Sequence, residues 1–237
     1  MTLPETTLLE VRIGKVKRLG ETKIMTGIDK KVCAGPVAVS DLRVEGDEQG
    51  EAVIHGGPDK AVLQYAAHHY PSWAEEFPES AHLFGPGGFG ENLVAEGFDE
   101  ESICIGDRVE VGSLVLQVAQ PRQPCFKLNH RFQQKTMSRR AQQSRRTGWY
   151  YRVLTPGTVE AGDAMCVAER PHPEWTVARV QHYLYTAIDD YPHISVLAEL
   201  PLLAEDMRKV FRRRAEANRV EEWDSRLEDE ETKSIPR

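Results

Sequence analysis

The sequence lacks long apolar runs and an excess of positive charge. Nothing in its 237 residues resembles a twenty-residue membrane span, and its start, MTLPETTLLEVRIGKVKRLG, lacks the apolar block of a signal peptide. We therefore expect a soluble, cytoplasmic protein. The 30 lysines and arginines against 37 aspartates and glutamates give a formal net charge of −7, which argues against a general nucleic-acid binder.

Cysteine is also scarce, and the few residues present are scattered. The four cysteines form no C-x-x-C pair and no His/Cys cluster of the kind that binds zinc. A disulfide framework is not expected in a cytoplasmic protein of this size. Cys33, Cys104 and Cys166 lie in apolar or alternating stretches, where they fit as small core residues. Cys125 differs because prolines and cations surround it.

The first two-thirds of the chain has the pattern of short strands. LLEVRIGKVKRL is rich in aliphatic and β-branched residues, and ICIGDRVEVGSLVLQVAQP divides into two strands joined at residues 111–113. A Gly-Asp pair precedes a strand at Gly106 and again at Gly162. Short strands punctuated by turns favour a small barrel or sandwich over a βαβ fold. Helical interruptions are predicted at residues 60–69 and after Cys125.

The composition changes from about residue 171 onward. Prolines are followed by apolar residues three and four apart among dense charge, which predicts two or three short helices with a frayed end. We therefore expect a mostly β domain over residues 1–168 and a small helical domain over residues 172–237.

The segment QPRQPCFKL places Cys125 between a strand and a predicted helix. Pro124 keeps the preceding residue out of helical geometry, and FKLNHRFQQKTMSRRAQQ contains few helix breakers. Cys125 would then lie near a helix N-terminus, where free amides favour a thiolate, and Arg122 and Lys127 would favour it further. Such a thiolate could attack a substrate or bind a soft metal. A buried structural cysteine is the alternative.

The neighbours of Cys125 do not complete a familiar active site. Nucleophilic catalysis requires a histidine base, and this loop offers only His130, unless a distant histidine folds in. A protein metal site requires several ligands, and no second cysteine is near. A metal already ligated by a cofactor needs only one thiolate, which fits a lone cysteine best.

Four motifs in order resemble one family. GDRVEVGSLVLQVAQPRQPCFKL, VIHGGPDKAVLQYA, GGFGENL and RTGWYYRVLTPGTVEAGD together resemble the MOSC domain of molybdenum-cofactor enzymes. They are most similar to the YiiM type, a family of molybdenum-cofactor-dependent reductases of 6-hydroxyaminopurine and other N-hydroxylated bases. The resemblance covers nearly all of residues 1–168, and the helical end resembles the three-helix extension of that subfamily.

The resemblance implies a fold and a function. It implies a mostly β, small barrel-like MOSC domain with short helices, and a molybdopterin cofactor whose molybdenum is ligated by Cys125. The expected reaction is two-electron reduction of N–OH to N–H. A separate flavoprotein donor is implied because the chain has no flavin or nicotinamide motif of its own. The family is also associated with detoxification and with pyridoxal phosphate binding.

The resemblance also implies which residues surround the cofactor and the substrate. TGIDKK would supply a hydroxyl, amides and a cation for the cofactor phosphate, HGGPDKA would lie at the rim, and GENL would point into the pocket. Each motif has an ordinary alternative as a turn or as core packing. The implied catalytic residues are Cys125 and His55. The implied cofactor contacts are Thr26, Gly27, Lys30, Gly56, Gly57, Glu91, Asn92, Arg122, Lys127 and Tyr150.

Further alternatives stay open. Lys127, Arg131, Lys135 and Arg139 fall four apart, as a solvated helix face or as a dock for an acidic, flavodoxin-like donor. GPGGFG satisfies the dinucleotide-binding pattern but lacks its strand and helix context, so we interpret the match as accidental. The protein could also be a molybdopterin carrier or binding module without turnover, or a metal-free cysteine hydrolase.

Overall fold

The computed structural model describes residues 3–50 and 56–235. Over these residues the chain forms short strands, with short helices between some of them and further helices after the last strand. The strands in that part of the chain are β1 Glu5–Ile13, β2 Lys17–Arg18, β3 Met25–Thr26, β4 Lys31–Val32, β5 Val37–Val39, β6 Val62–Ala66, β7 Leu93–Ala95, β8 Arg108–Val111, β9 Leu114–Pro121, β10 Trp149–Thr155, β11 Gly157–Val159 and β12 Ala164–Glu169. The α-helices there are α1 His69–Glu76, α2 Lys127–Phe132, α3 Met137–Ser144, α4 Val177–Tyr185, α5 Tyr191–Ala198, α6 Glu205–Ala217 and α7 Asp224–Leu227. Short 3-10 turns occupy Pro58–Lys60, Pro78–Leu83 and Glu231–Ser234.

Seven of these strands close into a barrel. Their order is β12-β8-β9-β10-β6-β7-β1, and β1 pairs back with β12. The pairs are antiparallel except β6 and β7, which run parallel with Gln64 opposite Leu93. Closure pairs the edges that an open sheet would leave exposed. The prediction of a mostly β, barrel-like fold with short helices and a helical extension is confirmed.

The turn between β8 and β9 lies where the sequence predicts it. Gly112 has a φ of +55°, and a Cβ there would approach the Thr158 carbonyl oxygen to 2.5 Å. Both the left-handed conformation and the close approach require glycine at this position. The strands on either side then alternate with one face buried, as their sequences suggest.

The barrel interior and the C-terminal helices share one apolar core. Leu8 and Leu116 from the strands belong to the same buried cluster as Val180 in α4, Leu197 in α5 and Phe211 in α6. The apolar spacing of the C-terminal sequence therefore marks the helix faces that pack onto the barrel. The boundary between residues 168 and 172 stays a prediction.

The predicted helix at residues 60–69 is wrong. Val62–Ala66 is strand β6, which pairs with β10 and β7, and helix α1 begins only at His69. All five residues of β6 are buried, so no polar face reveals a strand period. A short continuous apolar run of this kind fits a central strand and a buried helix equally well.

A second core, rich in aromatic rings, lies beside the barrel. Phe89 stacks on Tyr65 with ring centroids 4.2 Å apart, and Phe84 stacks on Phe132 at 4.5 Å. Trp73 from α1 belongs to the same buried cluster. Because Phe132 is the last residue of α2, this cluster supports the helix that follows Cys125.

The helix predicted after Cys125 is present but divided in two. Gln133 has a φ of +53° and ends α2, and α3 begins at Met137. The side chain of Asn129 bridges the break, because its Oδ1 accepts a hydrogen bond from the Ser138 amide at 2.8 Å. The cationic stripe predicted for one continuous helix is therefore wrong: Arg131 pairs with Asp29, and Arg139 pairs with Asp224 and Glu228.

The chain end is folded against the cysteine region, and the prediction of fraying is wrong up to residue 235. The Leu227 carbonyl oxygen accepts hydrogen bonds from Asn129 at 2.9 Å and from Ser138 at 2.7 Å. Partners about ninety residues away hold this segment, which local sequence does not reveal. Among the residues described, no helix combines the length and apolar character required to cross a bilayer.

Candidate functional site

Cys125 lies between the end of β9 and the start of α2, as the sequence predicts. Strand β9 ends at Pro121, and the Arg122 amide donates to the Gly148 carbonyl oxygen at 3.0 Å. The Cys125 carbonyl oxygen accepts from the Leu128 amide at 3.0 Å as α2 begins. The residue is 9% exposed. The cysteine is therefore fixed by backbone contacts on both sides.

Arg226, in α7, holds the peptide groups that flank Cys125. Its carbonyl oxygen accepts from the Phe126 amide at 2.8 Å, and its guanidinium donates to the Pro124 carbonyl oxygen. The same guanidinium donates to Gln142 Oε1 at 2.6 Å. The C-terminal segment thus restrains the loop immediately before and after the thiol. Sequence reasoning missed this residue.

A polar cleft opens at Cys125. Its volume is about 80 Å³. The polar cleft is lined by Thr26, Gly27, Ile28, Lys30, Glu48, Gln49, Gly50, Leu63, Phe89, Gly90, Asn92, Arg122, Cys125, Lys127 and Tyr150. It therefore brings together eight of the predicted site residues from four separate stretches of the chain.

Gly27 shows why this cleft can form next to backbone. A Cβ at Gly27 would lie 2.2 Å from the Glu48 carbonyl oxygen, so only glycine permits the close approach. Thr26, beside it, is buried and its hydroxyl accepts from the Ile28 amide at 3.3 Å. The segment accordingly presents main chain and one hydroxyl to the cleft.

Arg122 is a buried charge of the polar cleft with an unused donor. The residue is 5% exposed, and its Nη1 has no hydrogen-bond partner among the described residues. Burial raises the pKa of the neighbouring Tyr150, and the Arg122 guanidinium opposes that rise. A buried guanidinium with an unused donor is a suitable partner for an anionic ligand group.

Lys30 lines the same cleft but has an acidic partner. Its ammonium pairs with Asp47, and burial lowers the pKa of Lys30 even though Asp47 acts in the opposite direction. Asp47 also accepts from the Gly14 amide at 2.7 Å and from Asn92 Nδ2 at 3.0 Å. Asn92 Oδ1 in turn accepts from the Leu63 amide at 3.2 Å. This network fixes Lys30 and Asn92 at the floor of the cleft.

Glu91 does not point into the polar cleft, in contrast to its predicted place. Its carboxylate accepts hydrogen bonds from the Gly87 and Phe89 amides and from the Tyr70 hydroxyl. It is fully buried, and burial raises its pKa. Glu91 therefore shapes the GPGGFG loop, so that Phe89 and Gly90 line the cleft in its place.

The predicted rim residues lie in different places. Gly56 and Gly57 do not line the polar cleft but border a neighbouring depression, which shares Glu48 and Gln49 with the cleft. The predicted catalytic residue His55 lies outside the residues that the structure describes. Of the segment around Tyr150, only that residue lines the cleft, since Trp149 is buried in the barrel core.

Among the described residues, no histidine lines either space at the thiol, and no protein metal site is evident there. The ring Nε2 of His130 lies 2.9 Å from Asp229 Oδ1, and its side chain is 4% exposed. Over residues 3–50 and 56–235, no group of three or more His, Cys, Asp or Glu side chains could hold a metal ion. A metal bound by Cys125 would therefore take most of its ligands from a cofactor.

A second cavity, which we call the C-terminal cavity, meets the polar cleft at Cys125, Lys127 and Tyr150. Its volume is about 460 Å³. It is lined by Lys60, Gln120, Gln123, Cys125, Phe126, Lys127, Tyr150, Asp206, Met207, Val210, Ser225 and Arg226. Gln120 and Gln123 stand inside the QPRQPC motif and could have been found from it. The residues of α6 and α7 gave no sign in the sequence that they line a cavity at Cys125.

Comparison with known proteins matches both parts of the chain. The MOSC domain family matches residues 51–166, and the YiiM-like, 3-alpha helix domain matches residues 175–217. A protein named "Reductase" from Gibberella moniliformis is 42% identical over 180 residues, covering 75% of this chain. This chain matches only 32% of that protein's length.

Two comparisons with Escherichia coli YiiM extend over nearly the whole chain. Protein YiiM is 34% identical over 219 residues, which cover 92% of this chain and 97% of YiiM. The crystal structure of YiiM from the same organism superposes with a TM-score of 0.81 at 28% identity, covering 95% of this chain and 99% of the other. The chain therefore belongs to the YiiM-type family of MOSC-domain proteins.

Proposed function

We propose that the protein is a molybdenum-cofactor-dependent reductase of N-hydroxylated compounds such as hydroxylaminopurines, with Cys125 as the metal ligand. The observation that carries the proposal is the position of Cys125, where the polar cleft meets the C-terminal cavity beside the unpartnered Nη1 of Arg122. Membership of the family and a relative named "Reductase" support it. The fungal protein is about three times as long as the matched segment, so its name supports the reaction class alone.

The residues of the polar cleft fit such a cofactor. Cys125 offers one soft sulfur, as a metal with two dithiolene sulfurs requires. Arg122 offers a buried donor for phosphate, and Thr26 and Gly27 add a hydroxyl and close backbone. Lys30 brings a charge that Asp47 already balances, so we assign the phosphate mainly to Arg122 with Lys127 beside it.

When bound, the cofactor supplies the two-electron chemistry at the N–O bond. The overall change is R–NHOH + 2 e⁻ + 2 H⁺ → R–NH₂ + H₂O, in which the nitrogen is reduced and the N–O bond breaks. A separate flavoprotein would supply the electrons. The chain's own part is to hold Cys125 rigidly through Arg226 and to keep the reacting groups out of bulk water. His55 stays our proposed proton donor or cofactor contact.

Pyridoxal phosphate is the less suitable cofactor. An imine requires a neutral lysine amine aimed at the ligand, whereas Lys30 forms an ion pair with Asp47. We further propose a cytoplasmic location and a detoxifying role, which suit a protein with four free cysteines and a reductive reaction on damaged bases.

The decisive experiment uses protein expressed in a host that makes the cofactor. Wild type is assayed for molybdenum, for pterin fluorescence after oxidation, and for methyl-viologen-driven reduction of a hydroxylaminopurine. We expect metal, pterin and turnover in wild type, and loss of turnover in Cys125→Ser. Cys166→Ser, a half-buried thiol in β12, is the matched control and should retain all three.

The outcomes separate the rival functions. Pterin bound without turnover across a panel of N-hydroxylated compounds would contradict the reductase and support a carrier. Wild type that repeatedly contains neither metal nor pterin would contradict both functions and leave a cysteine hydrolase. Turnover that survives in Cys125→Ser would contradict the assignment of the metal ligand.

A further inference from the structure

The C-terminal cavity is built by two parts of the chain. The end of β9 and the cysteine loop provide one wall through Gln120, Gln123 and Phe126. Helix α6 provides the other through Met207 and Val210, and α7 adds Ser225 and Arg226. The cavity thus exists only because the C-terminal helices pack against the MOSC barrel.

Its walls combine apolar side chains with the charged residues Lys60, Lys127, Asp206 and Arg226. Phe126, Met207, Val210 and the ring of Tyr150 form the apolar surfaces, and the volume of the cavity is about 460 Å³ against about 80 Å³ for the cleft. A volume of that order is typical of sites for small organic molecules. Aromatic rings and a thioether are suitable contacts for the face of a flat ring.

Gln120 adds a polar group that lacks a partner. The residue is 4% exposed, and its Oε1 makes no hydrogen bond within the described residues. An acceptor buried without a partner is destabilising, and a hydrogen bond from a ligand N–H would remove that cost. Gln123 borders the same cavity with a second amide. Two side-chain amides next to apolar walls complement the polar edge of a heteroaromatic ring.

We propose that the C-terminal cavity binds the substrate as a flat heteroaromatic base, and that α6 selects for it by contacting the ring. The inference rests on the proposed function, because Cys125 belongs to both spaces and would present the cofactor from the cleft to the cavity. Gln120 accepts a hydrogen bond from a ring or exocyclic N–H. Substrate selection then resides in a segment outside the barrel.

The first test fills the cavity. Val210→Trp narrows it from the α6 side, and Val196→Trp is the matched control, since Val196 is 50% exposed on α5 and does not line the cavity. Both are assayed with a hydroxylaminopurine and with hydroxylamine, which has no ring. In Val210→Trp we expect KM for the purine to rise at least tenfold and KM for hydroxylamine to stay within twofold. Val196→Trp should behave as wild type with both.

The alternatives are distinguishable from failure of the proposed function. Equal loss for both substrates, or no change for either, would overturn the assignment of the ring to this cavity. A wild-type protein that reduces neither substrate would instead overturn the proposed function and leave the cavity to the second test.

The second test requires no cofactor. Iodoacetamide modification of Cys125 in cofactor-free protein is followed by mass spectrometry with and without adenine, and Cys33 and Cys166 serve as internal references. We expect adenine to slow modification of Cys125 several-fold in wild type and Val196→Trp but not in Val210→Trp. Gln120→Leu, which keeps the size and removes the acceptor, should weaken the protection. Absence of protection in wild type would overturn the proposal.

Discussion

Two buried charged clusters, one at the start of β8 and one at the polar cleft, show how a structural ion pair differs from a candidate site. Asp107 follows Gly106 in the first Gly-Asp turn, and Arg170 follows β12. Arg170 Nε donates to Asp107 Oδ1 at 2.9 Å, and its Nη2 donates to Asp107 Oδ2 at 2.6 Å and to the Ser102 carbonyl oxygen at 2.8 Å. The Cys104 amide also donates to Asp107 at 2.9 Å. This cluster has a partner for each of these groups.

The cluster at the polar cleft is incomplete. Lys30, Asp47 and Asn92 satisfy one another, but Arg122 beside them keeps an unused Nη1. The two thiols differ in the same way. Burial, followed by the charge of Asp107, raises the pKa of Cys104 to about 11, which favours the protonated thiol, while Cys125 lines two open spaces. Buried charge alone therefore does not mark a candidate site, and the unused donor beside a cavity is what distinguishes the polar cleft.

The largest expected effect, on the free energy of unfolding, comes from a substitution that breaks the complete cluster. Asp107→Ala leaves Arg170 and the Cys104 amide without their partner and should lower the free energy of unfolding by roughly 3–5 kcal/mol, as loss of one partner of a buried ion pair does. Urea denaturation followed by circular dichroism measures the change. Glu110→Ala, which removes the exposed ion pair with Arg108, is the control and should cost less than about 1 kcal/mol. Similar losses in both variants would refute the contrast.

Arg122→Met should lower cofactor affinity and leave the stability of the fold nearly unchanged. Removing a buried guanidinium with an unused donor should leave the free energy of unfolding nearly unchanged, within about 1 kcal/mol. Cofactor affinity should fall about 10–100-fold, because a hydrogen bond to a charged group contributes roughly 1.5–3 kcal/mol. Molybdenum content after dialysis, against Arg18→Met on the exposed β2, measures the effect. Strong destabilisation with full retention of cofactor would make Arg122 structural.

Sequence reasoning found features encoded locally and missed those encoded by distant partners. The strand-to-helix junction at Cys125 and the turn at Gly112 depend on prolines and glycine close by, and both could be predicted. Glu91 could not be oriented from sequence, because its direction depends on Tyr70 and on the backbone of its own loop. The order of the chain end depends on Asn129, which lies about a hundred residues away.

Arg226→Ala probes the segment that this long-range packing orders. It removes donors to the Pro124 carbonyl oxygen and to Gln142, so unfolding free energy should fall by about 1–3 kcal/mol. Arg219→Ala, an exposed neighbour, is the control and should change stability by less than about 0.5 kcal/mol. Alkylation of Cys125 in the cofactor-free protein should also become several-fold faster. Unchanged alkylation would show that the C-terminal segment does not restrain the cysteine loop.

The smallest effect is a pH dependence of the same segment. Burial raises the pKa of Asp229, but hydrogen bonds from Thr232 and His130 outweigh it and leave the pKa below its usual range. Since the folded-state pKa is the lower one, this stabilisation is present above the unfolded value near pH 4 and is lost as pH falls through the folded value. In hydrogen exchange, the protection of the α7 amides relative to their intrinsic exchange rates should therefore fall more steeply below pH 4 in wild type than in Asp229→Asn. Parallel pH profiles in the two proteins would show that Asp229 does not anchor the chain end, and that Arg226 and Leu227 hold it without electrostatic help.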